Sequence, residues 1–477
     1  MPAEAPVPPP AKAAGPSTSG PKGKADAAPS GDGKRKRIPV PARSVRHLSL
    51  GVGNNAALVA RVVLSRPWWR MAKKPKAGTR TTGEEWSMRW QETIQGINYS
   101  LLGAHSQQVV GHLPNNSAIC GKLNLFRNIY EYLSSKGEDP YQFLPVTYCV
   151  SEPHEMERFK AHHAYISGKT VPSKLLSKRA AQHAPRPKEG EECRNMWILK
   201  PIGLNRGRGI SVIRGPQECK SLIEAARDDK RLRKGSLKQW IVQRYIENPL
   251  LIDGRKFDIR AYVLIKGDGD CFIYHDAYLR LSSVPYTVAS TEQDVHLTNN
   301  AVQKHTEDYQ PNDCMLPLSH LETVTDRKVD DFFMPAMTHI VKQSLLAVAG
   351  KIGTQGTTNS FELFGYDLML DEDLNMTLIE VNTNPCIAFE SEVSYQLLPR
   401  LLDDMFALTI DQVFSPPRNC AQRLAAAPPG SDAPPPAGKR KERLEALTNI
   451  RWGAEGVRSF ENGWVQVLKG WRSYGRR

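Results

Sequence analysis

The 477-residue sequence predicts a mixed fold, α/β or α+β, on three observations. Alternating or β-branched runs of strand length recur from about residue 196 onward, and runs with helical periodicity stand between them. No internal repeat at a period of roughly 20 to 50 residues and no heptad seam is visible, which sets aside solenoids and coiled coils. No apolar run reaches about 18 residues, which excludes a membrane span and predicts a soluble protein. At about 150 residues per domain, the chain has room for two or three packed units.

Residues 1–46 are rich in Pro, Ala, Gly, Ser and basic groups and almost free of large apolar side chains. Burial cannot offset the entropy of ordering such a segment, so it is predicted to be a disordered basic tail. The run GKRKR within it, Gly33 to Arg37, reads as ordinary solvated charge before it reads as a localisation signal. The folded core then runs from about 47 to 415. Strands are predicted at MWILKP, ISVIRG, WIVQRYI, DIRAYVLI, DCFIYHDAYLRL, LFGYDLMLD and MTLIEVN. Helices are predicted near Cys120 to Ser134, Gln217 to Asp228, Asp330 to Ala349 and Glu392 to Ile410. Residues 416–438 have the proline density of an extended linker. After it, residues 439–477 form a basic appendage carrying Trp452, Phe460, Trp464, Trp471 and Tyr474 among arginines. Those aromatics either dock on an acidic partner or pack back on the core, since exposed tryptophan is costly.

Lysine and arginine number 64 against 50 acidic residues, a net charge of +14 that favours an acidic partner. The 8 cysteines are scattered, with no CxxC pair and no zinc spacing. The N-terminus does not resemble a signal peptide, so a reducing, cytosolic environment is expected.

Several segments carry chemistry. In MWILKPIGLNRGRGISVI a strand delivers Lys200, and a loop with Gly203, Gly207 and Gly209 precedes a strand starting at Ile210. Glycines let a backbone approach phosphate oxygens and an ammonium neutralises them, although GRG alone is equally a plain hairpin turn. In GRKFDIRAYVLI, Lys256, Asp258 and Arg260 are spaced by two and share one strand face, with Phe257, Ile259 and Ala261 on the other. That pattern fits a polar client or an exposed, salt-bridged sheet face. Arg280 follows on a strand, and then Asn299 and Asn300, whose plain role is a turn or helix cap. Finally, Asp367 on one strand and Glu380 and Asn382 on the next form a predicted hairpin around DEDLN. Oxygen donors on adjacent strands suit Mg²⁺, which keeps several waters and shares phosphate oxygens with a nucleotide.

Taken with WILKP, NRGRGI, QRYIENPLLIDGRKFDIR, YLRLSSVPY, HLTNNAVQK and FGYDLMLDEDLNMTLIEVNTNP, the sequence resembles the tubulin tyrosine ligase-like enzymes, a branch of the ATP-grasp ligases. The likeness runs from about Ala57 to Phe414, with EEWSMRW and HLPNNSAICGKLNLFRNI as weaker forms of the family's N-terminal motifs. It implies an α+β, ATP-grasp fold with an N-terminal α/β domain, in which 47–195 is the substrate-side part and 196–415 binds nucleotide and metal. By the same resemblance, Lys200 and Lys256 contact the ATP phosphates and nucleotide, and Arg260 and Arg280 hold the γ-phosphate end. Main chain around Gln243, Tyr245 and Ile246 lines the adenine, Asp258 lies near the reacting carboxylates, and Asn299 sits beside the phosphates. Gly207, Gly209 and Ile210 belong to the phosphate loop, and Asp367, Glu380 and Asn382 hold Mg²⁺.

The implied reaction attaches an amino acid to the C-terminal tail of tubulin through an acylphosphate. Its partners are tubulin or microtubules and a free amino acid, with no nucleic acid and no membrane. The implied place is the cytoplasm and cytoskeleton, with cilium or flagellum compatible. Cys386, His275, His296 and His305 are left as structural or peripheral. The segment from Gln303 to Glu322 departs from the family pattern near the acceptor side, and the motifs mix features of tyrosine- and glycine-adding members. The amino acid is therefore open among tyrosine, glutamate and glycine. A non-tubulin acceptor and a catalytically silent microtubule-binding protein remain as alternatives.

Overall fold

The alternating runs of the sequence become three sheets. The structure, a computed structural model, describes residues 44–51, 56–73, 86–102, 106–187, 194–228, 239–353, 357–415, 417 and 462–470. Most of the predicted N-terminal tail and the proline-rich linker lie outside the described residues. So do Trp452, Phe460, Trp471 and Tyr474 of the appendage, and two of the cysteines, Cys193 and Cys420.

The first sheet is parallel, in the order β2-β1-β3-β4, from β1 (Arg46–Leu50), β2 (Trp69–Met71), β3 (Met88–Trp90) and β4 (Val109–Val110). Parallel neighbours need a crossover, and helix α1 (Ala56–Leu64) supplies one, burying Leu58, Val59, Val62 and Val63. The second sheet is antiparallel, in the order β5-β8-β6-β7, from β5 (Thr147–Tyr148), β6 (Trp197–Pro201), β7 (Ser211–Ile213) and β8 (Trp240–Arg244). Helices α2 (Lys122–Ser135), α3 (Pro153–Ile166) and α4 (Pro216–Asp228) follow the chain around it. Phe159, Cys219 and Ile223 from α3 and α4 pack with Trp197, Leu199 and Val242 of the strands.

The third sheet has eight strands, β9 (Leu251–Ile252), β10 (Arg255–Lys266), β11 (Cys271–Tyr274), β12 (Tyr278–Leu281), β13 (Met315–Pro317), β14 (Phe361–Leu370), β15 (Met376–Thr383) and β16 (Trp464–Leu468). Strand β10 organises it, pairing with β11 and β12 along one edge and with β14 along the other. Helix α5 (Met334–Ala347) and helix α2 cover one face, so Met337, Val341, Leu345, Leu125 and Ile129 share a core with Ile259, Val263, Phe364 and Leu368. Helix α6 (Glu392–Leu408) starts at Ser391, whose side chain accepts from the Ser394 amide while Ser394 reaches back. That reciprocal cap satisfies amides that the first turn leaves open.

The mixed, α+β architecture expected from the sequence is therefore present, with three differences. The run DCFIYHDAYLRL is two strands, since a break at residues 275–277 shifts the register between the Val263↔Ile273 and Arg260↔Tyr278 pairs. The helix expected to run to Ile410 ends at Leu408, where Thr409 leaves helical geometry with ψ −85°. Part of the appendage is not separate at all, because β16 extends the large sheet beyond β11. Trp464 packs edge-on against Tyr274 with ring centres 5.0 Å apart, and its indole donates to the Leu401 carbonyl. The divergent segment 303–322 is anchored in the same sheet, with Met315 opposite Arg280.

Candidate active site

The site begins with register. On β10 the apolar set Phe257, Ile259 and Ala261 enters the core, which turns Lys256, Asp258 and Arg260 to the opposite face. Asp258 lies opposite Arg280 of β12, Arg260 opposite Asp367 of β14, and Asp367 opposite Glu380 of β15. Directly opposed residues share a face, so four strands bring their charges into one row. Asn382, opposite Gly365, closes it. A side-chain carbon at Gly365 would lie 3.2 Å from Arg260 Nε, so glycine there leaves room for the guanidinium.

The row is closely bonded. Arg280 donates to both oxygens of Asp258 at 2.6 Å, and its Nη2 also lies 2.9 Å from Asp367 Oδ2. Arg260 donates to Asp367 through Nε at 2.6 Å and Nη2 at 3.1 Å. Burial opposes charge on Arg260, Arg280 and Asp367, but the two guanidiniums hold the Asp367 carboxyl well below the usual carboxylate range. For Arg280 likewise, burial is outweighed by Asp258 and Asp367, and its pKa is raised. Asn382 donates to Asp367 Oδ2 at 3.1 Å and to Glu380 Oε1 at 3.0 Å. Both bonds come from Nδ2, so neither uses the amide oxygen.

Asp367, Glu380 and Asn382 are thus together, two carboxylates and an amide, a hard-oxygen set that fits Mg²⁺ shared with phosphate. Among the described residues, no group of three or more His, Cys, Asp or Glu side chains is arranged to hold a metal ion by itself. A softer, fully protein-supplied metal site is therefore absent from the described residues.

A cleft lies along this row. Lys200, Ile210, Gln243, Tyr245, Ile246, Lys256, Asp258, Arg280, Asn299, Asp367 and Glu380 all line it. Of the other residues singled out from the sequence, Arg260 sits behind Asp367, and Asn382 bonds the two carboxylates that line the cleft. Gly207 and Gly209 take φ of +75° and +70°, a region that favours glycine. A side-chain carbon at Gly207 would come within 3.1 Å of Asn299 Nδ2, so the glycine loop lies against the HLTNN segment. Asn299 also caps the short helix Asn300–Gln303, accepting from the Val302 amide at 3.1 Å. Its plain role as a cap and its place in the cleft coexist.

Two lysines face the cleft from different sheets. Burial pushes Lys200 down to about 8, with Glu380 pulling the other way. Burial also pushes Lys256 down to about 7, opposed by Asp258 and reinforced by Lys200. Two ammonium groups held this way gain from a polyanion placed between them.

Sequence reasoning missed several lining groups. Pro145, Ile198, Met369 and Ile379 give the cleft apolar walls. Ile198 stands two residues before Lys200 on β6, so strand alternation from a known site residue was the available signal. Thr298 donates to Asp258 Oδ2 at 2.7 Å, next to the Asn299 that the motif did flag. His296, set aside as peripheral, lines the cleft and accepts from the Tyr245 hydroxyl at 2.6 Å. Cys386 is exposed.

Comparison with known proteins places this site in a family. Residues 101–420 match the family described as "Tubulin-tyrosine ligase family". Tubulin glycylase 3D of Tetrahymena thermophila is 34% identical over 239 residues, 47% of this chain and 22% of that one. Tubulin glycylase 3B of Drosophila melanogaster is 35% identical over 232 residues, 46% of this chain and 29% of that one. Protein polyglycylase TTLL10 of Mus musculus is 27% identical over 382 residues, 76% of this chain and 51% of that one. The chain thus spans between about a fifth and a half of the length of these relatives. A match over residues 101–420, which holds the whole cleft and its charged row, makes this chain a member of the tubulin-tyrosine ligase family.

Proposed function

We propose that the protein is an ATP- and Mg²⁺-dependent ligase that joins glycine to the C-terminal tail of tubulin. The observation that carries the reading is the charged row: Lys200, Lys256, Arg280, Asp258, Asp367 and Glu380 line one cleft with apolar walls, and Arg260 and Asn382 bond to its carboxylates. Phosphoryl transfer needs this kind of positioning and charge neutralisation more than it needs a protein nucleophile. Glycine is supported by the names of the relatives, two tubulin glycylases and a protein polyglycylase.

Each group then has a task. The apolar walls and the segment Gln243 to Ile246 take the adenine ring, and Lys200 and Lys256 take phosphate oxygens. Asp367, Glu380 and Asn382 hold Mg²⁺, which when bound supplies a Lewis acid at the phosphates. Arg280, oriented by Asp258 and Thr298, faces the phosphoryl group in transfer, and Arg260 acts behind Asp367. An acceptor carboxylate oxygen attacks the γ-phosphorus of ATP, the bond to ADP breaks, and an acylphosphate forms while ADP leaves. The amine of glycine then attacks that carbonyl, forming the amide, losing a proton and releasing phosphate. The net charge of +14 supports an acidic acceptor and, through it, a place on the cytoskeleton, cilia and flagella included.

A second reading keeps the chemistry and changes the acceptor, because the mouse relative is named for protein polyglycylation without naming tubulin. Labelled glycine, tyrosine and glutamate, offered singly with ATP and Mg²⁺ to purified microtubules, test both. Glycine alone is expected to be incorporated. The Glu380→Gln variant is expected to lose at least about a hundredfold in turnover while melting like the parent. Incorporation of tyrosine or glutamate instead would overturn the donor assignment, and full activity of Glu380→Gln the metal assignment. No incorporation into tubulin, with glycine transferred to another protein in a cell extract, would move the acceptor.

A further inference from the structure

We infer that His296 and the Tyr245 hydroxyl form a positioning relay that aims the Lys256 ammonium into the nucleotide cleft. The inference rests on the reading of that cleft as an ATP site and adds to it two residues whose side chains no motif assigns a role.

The three groups come from separate parts of the chain. Tyr245 follows β8, Lys256 stands on β10 of the other sheet, and His296 ends the short helix Gln293–His296 that leads into the HLTNN segment. Lys256 Nζ lies 2.7 Å from the Tyr245 hydroxyl, which lies 2.6 Å from His296 Nδ1. His296 Nε2 lies 2.9 Å from the Ser290 carbonyl.

The direction of every bond follows from the two ends. A carbonyl only accepts, so His296 Nε2 must carry the proton and donate to Ser290. In a neutral imidazole Nδ1 is then the acceptor, and burial, which lowers the His296 pKa, keeps the ring neutral. The Tyr245 hydroxyl must donate its hydrogen to Nδ1, which leaves its lone pairs for Lys256. An ammonium only donates, so it is the matching partner. Lys256 Nζ also lies 4.2 Å from the centre of the Tyr245 ring and 5.8 Å from that of Tyr286. Aromatic faces accept a cation without competing for its hydrogens in the cleft. One of the three N–H groups of Lys256 is thereby committed to Tyr245, and the ammonium is held at the cleft lining with the others available to phosphate.

The test measures nucleotide affinity by equilibrium titration of the full chain with a fluorescent ATP analogue. Tyr245→Phe removes the hydroxyl but keeps the ring, and His296→Leu removes the acceptor. Each is expected to weaken binding roughly tenfold, the scale of a hydrogen bond to a charged group. The double variant should bind within about twofold of either single one, because both break the same chain. His296→Asn, whose amide oxygen can stand near the Nδ1 position, should recover most of the loss. Packing damage alone would give neither that recovery nor the non-additivity. Parent-like binding by Tyr245→Phe, multiplicative losses in the double variant, or His296→Asn as weak as His296→Leu would each overturn the relay alone. Failure of the parent chain to bind the analogue would overturn the nucleotide reading and the relay with it.

Discussion

Lys256 is the residue whose protonation the fold has moved furthest into the working range, down to about 7. On the proposed reading of the cleft as an ATP site, phosphates beside it favour the charged form, so binding draws in a proton. Affinity is therefore greatest below the pKa of the free protein and falls as pH rises above about 7, until the higher pKa of the bound state is reached. Between about pH 6.5 and 8.5 the affinity for ATP is expected to drop several-fold, and Lys256→Arg, whose charge does not titrate, should flatten the profile. A flat profile in the parent protein would remove Lys256 from the phosphates. The sequence made this lysine visible through its spacing of two from Asp258 and Arg260. It could not show Tyr245 and His296 beside it, because those contacts join residues 11 and 51 positions apart.

At the scale of elements, the glycine-containing loop between β6 and β7 is tied to helix α2. Lys122, at the first turn of α2, donates to the Leu204 carbonyl at 2.7 Å. Lys122→Met keeps the aliphatic stem but frees the loop. Trypsin cleavage after Arg206 or Arg208 is then expected to quicken several-fold, and KM for ATP to rise. Equal cleavage rates would leave Lys122 without a role in the loop. Strand β16 gives a second prediction. The Gly463 amide, just before the strand, and the Tyr274 hydroxyl both donate to Asp404 Oδ2, at 3.0 and 2.8 Å, so this end of the strand joins β11 to helix α6. Trp464→Ala is expected to cost roughly 3 kcal/mol in denaturant unfolding. Ending the chain after residue 415 should lower the melting temperature by several degrees, because it exposes the outer edge of β11. Unchanged stability in both would return Trp464 to the docking role that its basic, aromatic neighbourhood equally allowed.

For the molecule as a whole, the N-terminal sheet is held to helix α6 and the turn after it by a buried cluster. Arg66 is fully buried, with Asp411 at 2.8 Å and Asp403 at 2.9 Å, so two carboxylates share one guanidinium. Burial pushes Asp411 up to about 6, opposed by Arg66 and reinforced by Asp403. In the unfolded chain an aspartate titrates near about 3.9. The folded state therefore binds more protons between those values, and stability falls as pH rises through them, by ~2–3 kcal/mol from this group. Asp411→Asn should remove that slope. A melting profile with the same slope in the variant would assign the dependence elsewhere. Arg66→Met leaves two buried carboxylates without their cation and is expected to cost about 3–5 kcal/mol.

The sequence by itself determined the mixed class and the charged faces of the large sheet. Period-two alternation and the oxygen donors at Asp367, Glu380 and Asn382 are local patterns that survive in one dimension. The Asp367–Glu380 pairing was legible because a short hairpin joins the two strands. The N-terminal parallel sheet was not, since strands of two to five residues carry too little periodicity. Only the tertiary structure decided which charges meet. Arg260 and Asp367 are 107 positions apart, Arg66 and Asp411 345, and Tyr274 and Asp404 130. Such pairs depend on strand register and on how one sheet packs against the next, and these are set by the summed burial of the core, which no local pattern records.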